Sequence, residues 1–202
     1  MSNCRALMDV YHPNSEISNT YAEHVLAGKP LVSPLKCLTV TGFTLQSGTP
    51  SFDVNIARSI SRANSILVTL HGQTSATIRD VTTFISASPE QVQGRIHKQW
   101  PDGVPVSRIS QFWYRLLSGL GALHSASHTI AIKRGQYENG SFIWLSDLEK
   151  VPVATSTGYN CAKGELITVS MKNMSNTHQR ATVTCHHDVV MELRDSGCDV
   201  LV

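Results

Sequence analysis

The last forty residues of the chain alternate between apolar and polar side chains with a period of two. In "RATVTCHHDVVMELR" (180–194), one set of alternate positions holds Val183, Cys185, His187, Val189, Met191 and Leu193. The positions between them hold Thr182, Thr184, His186, Asp188, Glu192 and Arg194, with Val190 as the exception. Because consecutive side chains of a strand point to opposite faces, this pattern predicts a long strand with one buried face.

A second alternating segment precedes this strand. In "GELITVSMK" (164–172), the apolar positions are Ile167, Val169 and Met171, and a polar loop (173–179) follows. Two alternating runs joined by a polar loop favour a long antiparallel hairpin with one face against the core.

Four potential metal ligands stand in a row at 185–188: Cys185, His186, His187 and Asp188. The alternation turns Cys185 and His187 inward and His186 and Asp188 outward, so the four cannot converge on one ion. A closed zinc site needs four ligands, usually brought by two spaced pairs. His124 and His128, at a spacing of four, form no HExxH motif. The sequence therefore predicts no metal site.

Other catalytic patterns are missing from the sequence. No GxSxG elbow, phosphate-binding GxxxxGK[ST] loop or GxGxxG motif occurs. Asp188 and Glu192 are interpreted as solvated surface, and Cys185 as a buried, inert thiol. Trp100, Trp113 and Trp144 are interpreted as core or subunit-contact residues. We therefore expect no catalytic, cofactor-binding or metal-binding residues, no cofactor and no enzymatic activity.

The rest of the chain predicts a mainly β fold, an antiparallel β-sandwich with one or two short helices in the middle. Apolar or alternating runs predict strands at 35–45, 52–60, 64–72 and 151–157. Ser88 and Gln91 form a capping-box pattern that predicts a helix over 88–100, and 107–124 fits a helix or a strand. The runs at 128–135 and 141–148, separated by Asn139-Gly140, predict a hairpin. Residues 1–34, with three prolines, are expected to be an extended, irregular arm, followed by a domain at 35–197 and a tail at 198–202.

The composition favours a protein whose surface is covered by neighbours. Charged residues make up only 16% of the chain, the net charge is +2, and polarity comes from 23 Ser and 17 Thr. No basic stripe is present, and the first 35 residues carry only Arg5 and Lys29 as cations, which argues against strong RNA binding by the arm. Five cysteines without a CxxC pair, and no long apolar run, predict a soluble, reducing compartment and no membrane partner.

The segments 164–197 and Lys36–Leu45 resemble the last two strands and the first strand of the single jelly-roll coat proteins of small icosahedral viruses. The resemblance is closest to the picorna-like plant viruses, the secoviruses, and among them to the cheraviruses with three small coat proteins. It implies a structural protein released from a polyprotein, which forms the shell of a virion with copies of itself or with sister coat proteins. It further implies an arm that crosses to neighbours and, at most, weak contact with genomic RNA. Assembly is expected in the host cytoplasm.

Two other functions stay open at the level of the sequence. One is a β-sandwich module that binds carbohydrate through Trp113, Tyr114 or Tyr137. The other is a metal-dependent hydrolase built around His124, His128 and His187.

Overall fold

The computed structural model describes residues 10–46, 50–56, 60–72, 91–96, 103, 105–123, 130–149, 157–161, 166–172, 178–194 and 197–201. Nine strands lie in these ranges: β1 (Leu31–Thr44), β2 (Phe52–Ile56), β3 (Arg62–Gly72), β4 (Gln91–Ile96), β5 (Ile143–Asp147), β6 (Tyr159–Asn160), β7 (Ile167–Lys172), β8 (His178–Arg194) and β9 (Gly197–Leu201). Three helices accompany them: α1 (Ser15–Leu26), α2 (Ile109–Gly119) and α3 (Arg134–Asn139).

The strands form two antiparallel sheets. The larger sheet has the order β1-β8-β3-β5, with β6 paired to β3 and β9 paired to β8. The smaller sheet has the order β2-β7-β4. Strands that follow each other in the chain mostly belong to opposite sheets, as β1 and β2 or β7 and β8 do, whereas β5 and β6, and β8 and β9, share the larger sheet. This double-sheet arrangement is a jelly roll, and it confirms the predicted mainly β sandwich with short helices in the middle.

The core lies between the two sheets and is built by the alternating residues. β3 contributes Ile66, Val68 and Leu70, and β8 contributes Val183 and Cys185, all buried. The smaller sheet contributes Val54, Ile56, Ile167, Val169 and Met171. The faces predicted for 52–56, 64–72, 167–171 and 183–189 are therefore confirmed, whereas Leu193, predicted on the same buried face as Val183, is exposed.

The predicted hairpin between 164–172 and 180–194 is wrong. β7 pairs with β2 and β4, for example Val54 with Val169, whereas β8 pairs with β3, for example Val68 with Val183. The two strands thus face each other across the core instead of lying side by side. Alternation determines which face of a strand is buried, but it carries no information on the strand's partner.

The predicted helix over 88–100 is also wrong where the structure describes it. Residues 91–96 form β4, whose backbone pairs with β7 from Gln91 opposite Lys172 to Ile96 opposite Ile167. A spacing of four between apolar residues fits a period of two as well as a helix, and Gly94 lowers the helix propensity of the segment. Pairing with β7 therefore decides the conformation. Residues 73–90 and 97–102 lie outside the described ranges.

Helix α2 resolves the ambiguity of the segment 107–124 in favour of a helix. Phe112 and Leu116, four residues apart, are its buried residues. Backbone hydrogen bonds from Gly121 to Ser118 and from Ala122 to Leu117 close the helix, and Gly121 has a φ of 71°. This is a Schellman motif, for which glycine is the favoured residue.

The predicted hairpin between 128–135 and 141–148 is wrong, although its second run is a strand. Its second run forms β5, but residues 130–133 are not a strand and α3 follows them. Asn139 is the last residue of α3 and Gly140, with a φ of 151°, ends the helix. The Asn-Gly pair therefore terminates a helix here, and no hairpin turn forms. The predicted strand at 151–157 lies almost wholly outside the described residues.

The chain divides into two compact units, residues 35–189 and residues 1–34 with 190–201. In the second unit, residues 15–26 form α1, which corrects the expectation of a wholly irregular arm. The Asn14 side chain accepts a hydrogen bond from the Ile17 amide, and Gly28 (φ 68°) follows the last turn. Residues 197–201, expected to be a tail, form β9, which pairs with the end of β8 from Val190 opposite Leu201 to Arg194 opposite Gly197. The boundaries of arm, domain and tail stay predictions.

Candidate functional site

The four potential ligands at 185–188 lie on both faces of β8. Cys185 and His187 are buried on the core side, where Cys185 lies opposite Ile66 of β3 and His187 opposite Ala63. His186 and Asp188 occupy the alternate positions. Among the described residues, no group of three or more His, Cys, Asp or Glu side chains could hold a metal ion. His124 and His128 lie outside the described ranges.

The Cys185 thiol is enclosed in the core. Burial, and secondarily the nearby Cys161, raises the pKa of the Cys185 thiol to about 12. The thiol is therefore protonated at neutral pH, whereas nucleophilic attack requires the thiolate. A core role fits this environment, because a protonated thiol behaves as a small apolar group.

His187 joins the first strand to the last long strand of the larger sheet. Its Nε2 atom forms a hydrogen bond of 2.9 Å with Thr39 Oγ1 of β1. The Nδ1 atom is buried and has no hydrogen-bond partner among the described residues. A side chain tied in this way aligns β1 with β8 inside the sandwich.

Asp188 is buried, which corrects its interpretation as solvated surface. Only 9% of the residue is exposed, and Asn64, 4% exposed, donates a hydrogen bond of 2.7 Å from Nδ2 to Asp188 Oδ1. Asn64 is the extra residue of a β-bulge, because Ala63 pairs with His187 and Ser65 with His186. The Ser61 hydroxyl donates to the Asp188 backbone carbonyl at 3.3 Å. No local pattern in the sequence indicates this bulge.

Gly158 packs against the bulge at Asn64, where there is no space for a larger residue. A Cβ atom at this position would collide with the Asn64 side chain and the Ala63 carbonyl group. Tyr159 and Asn160 then pair with Ala63 and Arg62 of β3. The close approach of this segment covers Asn64, and the hydrogen bond between Asn64 and the Asp188 carboxylate links β3 to β8.

His186 lies on the opposite face from the core, beside charged groups. Burial, then Lys36, then His187 lower the pKa of the His186 imidazole. The Lys36 ammonium forms an ion pair of 3.1 Å with Glu149. Glu192, predicted to be surface, accepts a 2.8 Å hydrogen bond from Arg194. These charges form short-range pairs and do not converge on a common substrate position.

The aromatic residues proposed for carbohydrate binding are mostly core residues. Trp144 and Tyr137 are fully buried, and the Tyr137 hydroxyl donates to the Ile143 carbonyl at 2.8 Å. Trp113 packs against Tyr137 with ring centroids 5.0 Å apart. Tyr114 alone of the three candidates is largely exposed, beside a cleft of about 230 Å³ next to α2. Trp100 lies outside the described residues. The three candidates therefore do not form a shared platform.

The most exposed apolar side chains of the larger sheet lie on β1. Leu38 and Val40 are 63% and 58% exposed, and they alternate with the half-buried Thr39 and Thr41. β1 is also the terminal strand of the sheet. An exposed apolar face next to an exposed strand edge is typical of a protein contact surface. We therefore regard this strand as the candidate functional surface of the molecule.

The fold of the chain, unlike its sequence, is similar to that of known proteins. No protein-family model matches the chain, and no curated protein matches it either. Among solved structures, the PBCV-1 virus capsid is similar with a TM-score of 0.56 and 9% identity, over 91% of this chain and 54% of that chain. PBCV-1 VP54, in a crystal structure fitted into a cryo-EM reconstruction of the virophage Sputnik, has a TM-score of 0.56 and 8% identity, over 94% of this chain and 54% of that chain.

These neighbours are viral capsid proteins, and the likeness is one of fold. A structure of the Sputnik virophage itself gives a TM-score of 0.49 at 10% identity, over 86% of this chain and 39% of that chain. The chain spans about half the length of the PBCV-1 chains that it matches. Among the described residues, no helix has the length and apolar character to cross a membrane.

Proposed function

We propose that the protein is a capsid subunit that assembles, with copies of itself and with sister coat proteins, into the closed shell of a virion. The observation that carries the proposal is the jelly roll, which aligns over 94% of the chain with PBCV-1 VP54. The low share of charged residues supports it, because large contact surfaces are depleted of charge at their centres.

A finer proposal places the virus among the picorna-like plant viruses with an RNA genome and an icosahedral shell assembled in the host cytoplasm. Its support is the resemblance of 164–197 and Lys36–Leu45 to secovirus coat proteins. The small positive charge of the chain supports weak RNA contact at most, because RNA affinity rises with the number of phosphates neutralised.

The N-terminal arm is proposed to dock on a neighbouring subunit. Helix α1 buries none of its residues, and Ile17, Tyr21 and Leu26 are exposed. A helix of 12 residues is marginal in water without a packed apolar face. A neighbour that covers these side chains would supply the missing burial.

A structural role, with no enzymatic activity, agrees with the chemistry of β8. The Cys185 thiol is protonated, and the Asp188 carboxylate is engaged by Asn64. Neither group is placed to act as an accessible nucleophile or base.

Sedimentation velocity and negative-stain electron microscopy test the proposal. The full chain is expressed alone and together with its sister coat proteins, and the products are compared. We expect closed particles, or pentamer-sized intermediates, that contain this chain. A monomer under every co-expression condition would contradict the capsid proposal.

A further inference from the structure

The two terminal strands of the larger sheet differ in length and in what packs against them. At one end, β5 is only five residues long and α2 packs on it so closely that a Cβ on Gly119 would collide with the Leu145 side chain. At the other end, β1 is 14 residues long, and within the described part of the chain its outer edge has no paired strand. Helix α2 therefore packs on a face of β5, whereas the outer edge of β1 has no strand partner among the described residues.

Strand β1 carries devices that protect such an edge only near its start, where Pro34 and Lys36 lie, and it has neither a proline nor a charged residue over 37–44. Edge strands are usually short, bulged or lined with charges, because an open edge pairs with other strands. On the exposed side of residues 35–44, Leu38 and Val40 are aliphatic and Lys36 is the single charge. The Lys36 ammonium is engaged by Glu149 at 3.1 Å. This edge is therefore suited to pairing.

The residues of β1 are complementary to a second copy of themselves. When two copies of a strand pair antiparallel about a two-fold axis, the numbers of any two residues that lie opposite each other add up to the same even number. An axis at Thr39 places Leu38 opposite Val40 twice, which joins two exposed aliphatic positions of each copy. It places Lys36 opposite Gly42, so that the two lysines do not meet. An axis at Leu38 instead would place both lysines against Val40.

Charge complementarity extends beyond the strand itself. The Arg180 guanidinium lies over Gly42, where a Cβ atom would be 2.9 Å from Nη2. With the axis at Thr39, the Lys36–Glu149 ion pair of one copy approaches Arg180 of the other. The Glu149 carboxylate then offsets two cations, one from each copy.

We propose that β1 pairs with β1 of a second copy, antiparallel about Thr39, and joins two six-stranded sheets into one continuous sheet. The inference rests on the proposed function, because a shell needs repeated contacts between copies. The self-complementary register of β1 supplies such a contact. The partner is thus a second copy of the chain.

The oligomeric state of matched variants tests the pairing. Val40 and Val200 are both 58% exposed strand residues, and Val200 lies on β9. In sedimentation experiments on the full chain, we expect a concentration-dependent dimer and a Kd raised at least about tenfold in Val40→Lys, because two like charges enter a symmetric contact. Val200→Lys should leave the Kd within about twofold, as expected for a charge placed outside the contact. A monomeric wild type, or equal effects of both variants, would overturn the inference.

Disulfide trapping tests the register. With Cys4, Cys37 and Cys198 replaced by Ser, the Leu38→Cys and Val40→Cys variants are oxidised separately and as a mixture. The mixture should yield a crosslinked dimer faster than either variant alone. No crosslink in the mixture, or a faster one in Leu38→Cys alone, would overturn the register.

Shell assembly separates this inference from the capsid proposal. If particles form normally with Val40→Lys, the pairing of β1 is wrong and the capsid proposal stands. If β1 pairs as described but no particles form with the sister proteins, the capsid proposal is wrong and the pairing stands.

Discussion

The replacement Asn64→Ala removes the hydrogen-bond donor of a buried carboxylate. Asn64 Nδ2 lies 2.7 Å from Asp188 Oδ1, and both residues are at least nine-tenths buried. A hydrogen bond to a charged group contributes about 1.5–3 kcal/mol, and leaving a buried polar group unpaired costs about 1–3 kcal/mol. We therefore expect Asn64→Ala to lower the free energy of unfolding by about 2–4 kcal/mol. For a chain of this size, each kcal/mol lowers Tm by about 2–4 °C.

Urea denaturation of the unassembled subunit measures this loss, and a double-mutant cycle assigns it to the pair. Asp188→Ala removes the buried charge, so Asn64→Ala should cost less in that background, by at least about 1 kcal/mol. The exposed Asn55, which accepts a hydrogen bond from Thr168 at 2.8 Å, provides the control. Asn55→Ala removes a neutral hydrogen bond and should cost about 1–2 kcal/mol, less than Asn64→Ala. Additive effects of the Asn64 and Asp188 substitutions would refute the reasoning.

Three further predictions concern single side chains. Cys185, whose thiol pKa is raised to about 12 by burial, should resist alkylation by iodoacetamide at pH 8, whereas the exposed Cys198 should be alkylated. Mass spectrometry of the native protein after labelling measures this difference, and equal labelling would contradict the prediction. Gly119→Ala should lower the free energy of unfolding by about 1–3 kcal/mol, because the new Cβ atom would collide with Leu145. Gly135→Ala, with open space around it, should be neutral or stabilising by up to about 1 kcal/mol. Thermal unfolding measures both changes. Because the pKa of His186 is lowered in the folded protein, the unfolded chain binds more protons than the folded chain below pH 6.5, and the free energy of unfolding falls on acidification. His186→Gln should reduce that fall, measured by urea unfolding between pH 5 and 7.5. An unchanged fall would contradict the assignment.

The burial of strand residues could be predicted from the sequence because it depends on local alternation. Val183, Cys185 and His187 face the core as their spacing indicates, and the same holds for Ile167 and Val169. The separation of the ligand row into two faces follows directly from this period. Local patterns of this kind need no knowledge of the rest of the chain.

Strand partners could not be predicted in the same way. Strands β7 and β8 belong to different sheets, whereas the sequence favoured a hairpin between them. The segment 91–96 carries a plausible helix start upstream, yet it pairs with β7. In both cases the deciding contacts are distant in sequence, and so a local pattern cannot specify them.

Helix α1 and the burial of Asp188 differ from what the sequence predicts, each for a different reason. Helix α1 has signals in the sequence, since Asn14 is a favourable N-cap and Gly28 a favourable C-terminal residue, but the nearby prolines suggested an irregular arm. Pro13 and Pro30 instead flank the helix. The burial of Asp188 has no local signal, because its partner Asn64 lies in a bulge of β3 that is distant in sequence.

The most direct test of the capsid account is a cryo-EM reconstruction of particles from cells that co-express this chain and its sister coat proteins. The account predicts a closed shell whose wall contains this jelly roll, with β1-β8-β3-β5 facing β2-β7-β4 and His187 between the sheets. Particles that lack the chain, or a chain that remains monomeric beside assembled sister proteins, would contradict it.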